Sequence, residues 1–367
     1  MKIAILTLPL HTNYGGILQA YALQTVLEKM GHKVEVLDKK RREKPQLPIN
    51  VKIKRFILKY ILFQRINPLR EDIIYKRRKI ENKYTWKFAD KYIHRREISS
   101  FNDIKEGEYD AIVVGSDQVW RPQYFRNHYT SIYDAFLAFA RNWKIKKIAY
   151  APSFGTDIWE YSNEETKECA LLLKQFDFIS IREQSGIELC KKYFKINVQQ
   201  LIDPTLLLNF SDYKKLFDNK KQKARKGILC YFLDYNKDIE LLIKETEKNL
   251  NIPSFTVNSR VEDCNNYTIE TQPPVEEWLK GFYDCDYVLT DSFHACIFSI
   301  IFNKPFIVYE NEKRGTTRIK SLLKSLNLDD KSIRHNNSSI KPSILTRQKI
   351  DSYSKYSIHL LTKMFQL

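Results

Sequence analysis

The sequence lacks features that would place it across a membrane or around a metal ion. No stretch approaches 18 uninterrupted apolar residues, so we predict no transmembrane helix. The six cysteines are scattered, with no Cys-x-x-Cys pair and no histidine at metal-ligand spacing. This indicates free thiols in a reducing cytosol and argues against a metal site. The N-terminal run has no small-residue cleavage site and is interpreted as a first strand, not a signal peptide.

Acidic residues are scarce in one segment, and that segment carries most of the charge. The 367 residues have a formal net charge of +17, while residues 39–97 hold 20 Lys and Arg against 6 Asp and Glu. The remainder of the chain is therefore close to neutral. This distribution argues against a nucleic-acid-binding fold, whose own recognition surface would be basic.

Two stretches of this basic segment, 49–65 and 71–93, are predicted to be helical. In the first, apolar residues recur at helical spacing between lysines and arginines: Ile53, Phe56, Ile57, Tyr60 and Ile61. Such a pattern can lie on an anionic membrane surface, with its cations at the lipid head groups. It can also be a solvated helical insertion packed on its own domain, and the sequence leaves both interpretations open.

Outside this segment, predicted strands and helices alternate. A strand at 2–8, a helix at 17–30 and a strand at 32–38 form a β-α-β unit, which is typical of a parallel sheet. Length and alternation together predict two α/β domains. We divide the chain into a domain at 1–208 with a basic helical insert at about 39–100, a lysine-rich linker at 209–227, a domain at 228–345, and a helix at 346–367 that could pack back on the first domain.

Polar residues recur where the predicted strands end. Ligands of open parallel sheets bind beyond the carboxyl ends of the strands, so these residues are the site candidates. They are Asn13, Gly15, Gly16, Ser116, Asp117, Gln118, Ser153, Phe154, Gly155, Arg182, Glu183, Ser292 and His294. The helix start after NYGG suits phosphate or carboxylate, but it is neither Gly-x-Gly-x-x-Gly nor a Walker sequence, and its glycines could simply form the turn.

Two of these candidates have a functional and a structural interpretation. Asp117 could act as a base toward a sugar hydroxyl or hold a sugar by hydrogen bonds, or it could cap the following turn. Arg182 could bind a phosphate or carboxylate, or it could pair with Glu183. His11, in the first loop, could reach the cleft, whereas His128 is interpreted as a surface residue.

The stretch TDSFHACIFSIIF leaves His294 undecided. If Ser292 caps a helix, His294 lies in its first turn, beside free N–H groups that favour an anion. The same residue shares one helical face with apolar residues, as a core histidine would: Ile297, Phe298 and Ile301. Downstream, Arg314 or Arg318 could face the cleft, although a surface position is the more ordinary one for each.

Taken together, the segments resemble the polysaccharide pyruvyl transferase family, in its bacterial cell-surface-glycan branch. The matching pieces follow the family's order over residues 1 to about 326: TNYGGILQAYALQTVLEKMGHKVEVLD, DAIVVGSDQVW, IAYAPSFG, ISIREQSGIELC, LIDPTLLL, YVLTDSFHACIFSIIFNKPFIVY and RGTTRIKSLL. The resemblance implies an α/β fold with two Rossmann-like domains facing across a cleft, GT-B-like. It implies transfer of a pyruvyl group from phosphoenolpyruvate (PEP) to a sugar, which forms a cyclic ketal and releases phosphate.

The resemblance also implies roles for individual residues. Arg182 would hold the PEP anion, His294 would be the acid or base at the reacting centre, and Asp117 would position or deprotonate the acceptor. Better-known members carry Arg-Leu-His where this chain has Ser292-Phe293-His294, so the missing cation would come from Arg318 or Arg314. Further substrate contacts are predicted at Asn13, Gly15, Gly16, Gln118, Ser153, Ser292 and Arg318.

The expected partners follow from this reaction. The acceptor would be a sugar of a cell-surface polysaccharide or of its lipid-linked precursor, and no metal or cofactor is expected beyond PEP as the donor. The protein would be cytoplasmic, at the inner face of the membrane, where residues 49–97 could make peripheral contact; no nucleic acid is expected. Two alternatives stay open: a GT-B-type glycosyltransferase that uses a nucleotide-sugar, and a non-catalytic glycan- or membrane-associated protein.

Overall fold

The structure is a computed structural model that describes eight stretches of the chain. They are residues 1–41, 49–61, 70–218, 224–257, 271–310, 316–328, 332–333 and 347–366. Arg314 and the end of the predicted second domain, 334–345, therefore lie outside the described residues. Within the described stretches, no helix has the length and apolar character needed to cross a membrane.

The first domain is built on seven described parallel strands in the order β3-β2-β1-β4-β5-β6-β7. They are β1 Lys2–Leu6, β2 Lys33–Lys39, β3 Arg95–Ile98, β4 Ala111–Val114, β5 Lys146–Ala149, β6 Phe178–Ile181 and β7 Gln199–Gln200. In register, Ile3 lies between Val34 and Ala111. The order changes direction between β1 and β4, and such a switch point opens a crevice at the carboxyl ends of the strands.

Helices cover both faces of this sheet, so its central strands β1 and β4 are almost entirely apolar and buried. The helices of this part of the chain are α1 Tyr14–Lys29, α2 Ile49–Tyr60, α3 Arg70–Glu81, α4 Lys83–Tyr92, α5 Pro122–Arg126, α6 Asn163–Leu173 and α7 Gln184–Leu189. Because side chains alternate along a strand, Ile3 and Ile5 join the core under α1, whereas Ala4 and Leu6 join the core on the opposite face.

The second domain contains five described parallel strands in the order β12-β11-β10-β8-β9. The strands are β8 Ile228–Tyr231, β9 Ser254–Phe255, β10 Tyr287–Thr290, β11 Phe306–Tyr309 and β12 Ser332–Ile333. The remaining helices are α8 Phe210–Phe217, α9 Lys237–Leu250, α10 Val275–Asp284, α11 Phe293–Ile301, α12 Thr317–Leu326 and α13 Arg347–Gln366. This sheet also changes direction, between β8 and β10. The predicted fold class, α/β with two Rossmann-like, GT-B-like domains, is confirmed.

The basic segment is less of an insert than its composition predicts. It spans the crossover from β2 to β3, and β3 pairs with β2 at the edge of the first sheet. Helix α4 buries Phe88 and Ala89 in the core beneath α1. Residues 83–97 therefore belong to the body of the domain, and the predicted peripheral membrane contact of residues 49–97 stays a prediction. The sequence does not reveal this burial, because α4 packs on α1, which is distant along the chain.

The predicted linker contains a helix, α8. A capping box joins Asn209 to Asp212 at its start, and its buried face packs into the core; the lysines mask this apolar face in the sequence. Two other stretches form short elements. The run at 198–208 contains the two-residue β7 and a 3-10 turn at Pro204–Leu207. Residues 127–143 contain two 3-10 turns separated by left-handed Leu137.

The last helix, α13, lies against elements of the first domain. Lys146 Nζ in β5 donates to the Met364 carbonyl at 2.9 Å, and Tyr356 Oη donates to Gln199 Oε1 at 3.3 Å. Leu361 is fully buried in the same core cluster as Ile3 and Tyr150. The chain therefore enters the second domain through α8 and returns to the first domain at its end.

Candidate active site

The carboxyl ends of the two sheets meet where α1 and α11 begin. Asn13 caps α1, and its Oδ1 accepts from the Gly16 N–H at 3.1 Å. A Cβ on the buried Gly15 would lie 2.7 Å from His294 Cε1 and closer still to two other ring atoms. The imidazole of the second domain therefore sits directly on the first turn of α1, in a space that only glycine leaves open.

Arg182 is the centre of a buried charge cluster at the end of β6. Its Nη1 donates to Asp203 Oδ2 at 2.6 Å, its Nη2 donates to Asp117 Oδ1 at 3.4 Å, and its Nε lies 4.0 Å from Glu183 Oε2. Burial opposes a charge there, but the three carboxylates raise the pKa of Arg182 above its ordinary value. The ion pair that the sequence suggests between Arg182 and Glu183 is thus longer than the contacts of Arg182 with Asp117 and Asp203.

Asp203 holds this cluster together from the 3-10 turn that follows β7. Its Oδ1 accepts from the Thr205 N–H at 3.0 Å and from Thr205 Oγ1 at 2.6 Å, and its Oδ2 faces Arg182. Burial alone would raise the pKa of Asp203. Its contacts with His294, Arg182 and Thr205 instead hold the pKa well below the usual range. Asp203 is therefore a fixed negative charge beneath the site.

His294 lies in the first turn of α11, and its Nε2 is 3.6 Å from Asp203 Oδ2. That distance is too long for a hydrogen bond, and Nε2 is buried without a hydrogen-bond partner among the described residues. The three apolar residues that share its helical face are buried in or beside the core, as the periodicity predicts. The ring itself, however, contacts Gly15 and Asp203 of the other domain, so it is an interface histidine and not a core one.

Two guanidinium groups lie close to the Phe293 ring. The Arg182 Cζ lies 4.6 Å from the centre of the ring, and the Arg318 Cζ lies 5.6 Å from it. Burial, reinforced by the charge of Arg182, lowers the pKa of Arg318 to about 10. Arg318 nevertheless remains charged near neutral pH. Two cations are therefore gathered around one aromatic ring, and an anion bound beside them would relieve their repulsion.

Glu183 shapes the loop after β5. Its Oε1 accepts from Ser153 Oγ at 3.0 Å and from the Phe154 N–H at 2.9 Å, and burial raises the pKa of its carboxyl. At Gly155, φ is +72°, and a Cβ would lie 2.7 Å from Gln118 Cδ. Gln118 Oε1 in turn accepts from Arg121 Nη1 at 3.2 Å. Ser153 and Gln118 thus make structural hydrogen bonds, and their predicted substrate contacts stay predictions.

Two further predicted residues act as helix caps. Ser292 Oγ accepts from the Ala295 N–H at 3.5 Å at the start of α11, as the sequence predicts. Asn13 performs the same task for α1. Gly16 lies near both Asn13 and Asp117, since a Cβ there would come within 3.5 Å of Asp117 Oδ2. Asp117 is buried and has φ +57°, so it is held in the left-handed region where β4 ends.

His11 and His128 are paired, which the sequence does not indicate. Their ring centres are 5.0 Å apart, and both residues are half-buried. Burial, then the charge of Arg78 on α3, lowers the pKa of His11, while Asp117 opposes this effect. The interpretation of His128 as a surface residue is therefore incomplete. The basic helix α3 also contributes to the electrostatic environment of the first loop.

The structure brings Asp117, Arg182, Arg318 and His294 together with a residue that sequence reasoning missed, Asp203. Asp203 stands in the LIDPTLLL stretch, where an Asp-Pro pair after an apolar run signals a turn. Phe293 was also missed. In the described part of the chain, no three His, Cys, Asp or Glu side chains are grouped to hold a metal ion. The arrangement suits a small dianion, bound by two cations beside a histidine nitrogen.

Comparison with known proteins gives one family match. The model of a family described as polysaccharide pyruvyl transferase matches residues 13–313, and no curated protein matches the chain. Solved structures with similar folds include E. coli heptosyltransferase WaaC with ADP (10% identity, 97% and 100% of the chains covered, TM-score 0.40). They also include Methanocaldococcus jannaschii UDP-GlcNAc 2-epimerase with UDP-GlcNAc and UDP. It has 12% sequence identity and a TM-score of 0.45, with 99% of this chain and 100% of that chain covered. At these TM-scores, no inference about this chain is drawn from either.

Proposed function

The chain belongs to the polysaccharide pyruvyl transferase family, and from this premise we propose that it moves the pyruvyl group of PEP onto a sugar. Two hydroxyls of that sugar would form a cyclic ketal, and phosphate would leave. The acceptor would belong to a cell-surface polysaccharide or its lipid-linked precursor, at the cytoplasmic face of the membrane. The observation that carries the proposal is the convergence of Arg182, Arg318 and the unpartnered His294 Nε2 at the junction of both sheets.

The donor would bind as an anion between the two arginines. PEP carries a phosphate and a carboxylate, and guanidinium groups bind both by paired hydrogen bonds. Arg318 would supply the cation that the family motif has at Ser292, because its guanidinium lies beside the same Phe293 ring as that of Arg182. His294 lies against the first turn of α1 at Gly15, and a helix N-terminus of this kind favours an anion nearby.

The reaction needs one proton delivered and two removed. Protonation of the PEP methylene carbon makes the adjacent C2 electrophilic, and the first sugar hydroxyl adds to C2 and loses its proton. The C2–O bond then breaks, and phosphate leaves with the bonding electrons. The second hydroxyl adds to C2 and loses its proton, closing the ketal. One of the two released protons replaces the one delivered, and the other leaves with the phosphate.

His294 is the proposed proton donor. Its Nε2 is buried and unpartnered within the described part of the chain, so it is available to a ligand. Asp203, held ionised 3.6 Å away, stabilises a positive imidazolium before the proton is transferred. Asp117 would accept the proton of the incoming hydroxyl, and its contact with Arg182 ties the acceptor side to the donor side.

Donor binding and product mass test the proposal together. PEP, but not a UDP- or GDP-sugar, is expected to raise the melting temperature, and lipid-linked oligosaccharide is expected to gain the mass of pyruvic acid less one water. His294→Gln should abolish the product while keeping PEP-induced stabilisation. His359→Gln, at an exposed position of α13, is the matched control and should remain active. Full activity of His294→Gln, or stabilisation by a nucleotide-sugar alone, would contradict the proposal.

A further inference from the structure

Helix α2 turns its apolar side toward solvent. Six large apolar residues of residues 49–61 are exposed, from 42% for Ile57 to 77% for Ile49. We call them the α2 stripe: Ile49, Ile53, Phe56, Ile57, Tyr60 and Ile61. Their spacing of three and four residues places them along one side of the helix, and Phe56 stacks on Tyr60 with ring centres 5.5 Å apart. A water-exposed helix ordinarily has the reverse orientation.

The opposite side of α2 is the more protected one. Val51, Arg55, Leu58 and Lys59 are half-buried, although two of them are charged. The more protected side of α2 therefore includes charged residues, while the α2 stripe faces solvent. An apolar patch of this kind on a protein surface marks an interaction site.

The charge around the α2 stripe identifies the kind of partner. Residues 49–61 contain four basic residues and no acidic one: Lys52, Lys54, Arg55 and Lys59. A second copy of the chain, packed stripe against stripe, would bring two basic helices with no acidic residue together, which disfavours a homodimer through this face. Lys54 and Lys59 fall at opposite edges of the stripe on a helical projection, where their long side chains can reach head groups while the stripe lies lower.

From these observations we propose that the α2 stripe inserts into the surface of an anionic membrane. The helix has 12 residues and spans about 18 Å, which suits a helix lying in the interface and not one crossing it. Its apolar side would enter the boundary between head groups and acyl chains, and its cations would meet anionic lipid. The exposed Ile73 and Ile80 on α3 extend the apolar surface of the same basic segment.

The basic segment is also connected to the candidate active site. The Glu81 carbonyl at the end of α3 accepts from the Gln272 N–H at 3.2 Å, and Gln272 Oε1 accepts from Tyr14 Oη at 3.2 Å. Tyr14 is the first residue of α1, next to Gly15. Docking through α2 would thus tether to the lipid surface a segment whose far end is hydrogen-bonded to the start of α1. Docking would also bring the protein to a lipid-linked acceptor. That consequence rests on the proposed function, whereas the docking itself does not.

Vesicle co-sedimentation without substrates tests the docking. The protein is expected to bind phosphatidylcholine vesicles that contain 30% phosphatidylglycerol, and to bind less as salt is raised, because salt screens the lysines. Ile53→Asp with Phe56→Asp should weaken binding by on the order of a hundredfold, since two apolar side chains no longer insert. Leu241→Asp, at a residue of α9 that is 64% exposed, is the matched control and should bind normally.

A second pair of variants isolates the charge. Lys54→Gln with Lys59→Gln should weaken binding to the anionic vesicles about 25-fold, at about fivefold per basic residue. Lys237→Gln with Lys248→Gln removes the same charge from exposed positions of α9 and should have little effect. All variants change exposed or half-buried side chains, and unchanged melting temperatures would show that they fold.

Three results would overturn the proposal. One is equal vesicle binding by the wild type and the Ile53→Asp, Phe56→Asp variant. Another is that the wild type binds pure phosphatidylcholine vesicles as well as it binds those containing phosphatidylglycerol. The third is no vesicle binding together with a concentration-dependent dimer, or capture by an acidic protein, that the same variant abolishes. Because no substrate is present, each of these results would leave pyruvyl transfer untouched.

Discussion

Replacing Gly15 by alanine tests whether the domain junction is as tight as the structure places it. In an ordinary helix, this change would stabilise the protein by up to about 1 kcal/mol. Here the new methyl group would lie 2.7 Å from His294 Cε1 and closer still to two other ring atoms, against an optimal separation of about 3.5–4.0 Å, so the imidazole must shift by more than about 1 Å. Overpacking of this kind costs about 1–3 kcal/mol, which reverses the sign of the change.

The expected result for Gly15→Ala is lower stability and a loss of activity of about a hundredfold, because a shift of 1 Å at a reacting group has that effect. Denaturant unfolding and product formation measure the two quantities. Gly16→Ala is the matched control: its Cβ would approach Asn13 Nδ2 no closer than 3.3 Å, so it should be nearly neutral. In the His294→Ala background, Gly15→Ala should lose its destabilising effect. A stabilised Gly15→Ala single variant, with no coupling to His294, would refute the reasoning.

Two further predictions concern the buried charges. Asp203→Asn leaves the Arg182 cation poorly compensated and should lower the free energy of unfolding by about 3–5 kcal/mol, measured by denaturant titration. The pKa of Asp203 is lower in the folded protein than in the unfolded chain. Its contribution to the free energy of unfolding is therefore present above about pH 4 and is lost as the pH falls toward the folded pKa. In that range the stability of the wild type should decline more steeply than that of Asp203→Asn. Arg318→Gln should weaken PEP binding at least about tenfold in a melting-temperature titration, whereas Lys324→Gln on the exposed side of α12 should not; an unchanged affinity would place the second cation elsewhere.

The sequence allowed the site to be located because parallel sheets bring the ends of their strands together. Asp117, Arg182 and His294 each follow an apolar strand, so their approach follows from topology without knowledge of any contact. Asp203 could not be found in this way. It follows a strand of only two residues, and its importance comes from partners 21 and 91 positions away in the numbering, at Arg182 and His294.

Two other features depend on surroundings that periodicity does not report. Phe293 looks like one more apolar residue of a buried helix, and only tertiary structure brings two guanidinium groups to its ring. Helices α2 and α4 both appear in the sequence as basic, aromatic-rich helices. Both lie in the crossover from β2 to β3, but the structure buries the apolar side of α4 in the core beneath α1 and leaves that of α2 exposed.

The return of α13 to the first domain has a consequence for synthesis. Leu361 and Met364 belong to the same core as β1, so that core stays incomplete until residues 347–366 have been made. Domains generally fold as they emerge from the ribosome, N-terminal part first. Here the first sheet must wait, with part of its apolar surface uncovered, while the whole second domain is translated. The nascent chain is therefore prone to aggregation for longer than if the first domain were completed before the second is made. Chaperone binding would be concentrated on the first domain during that interval.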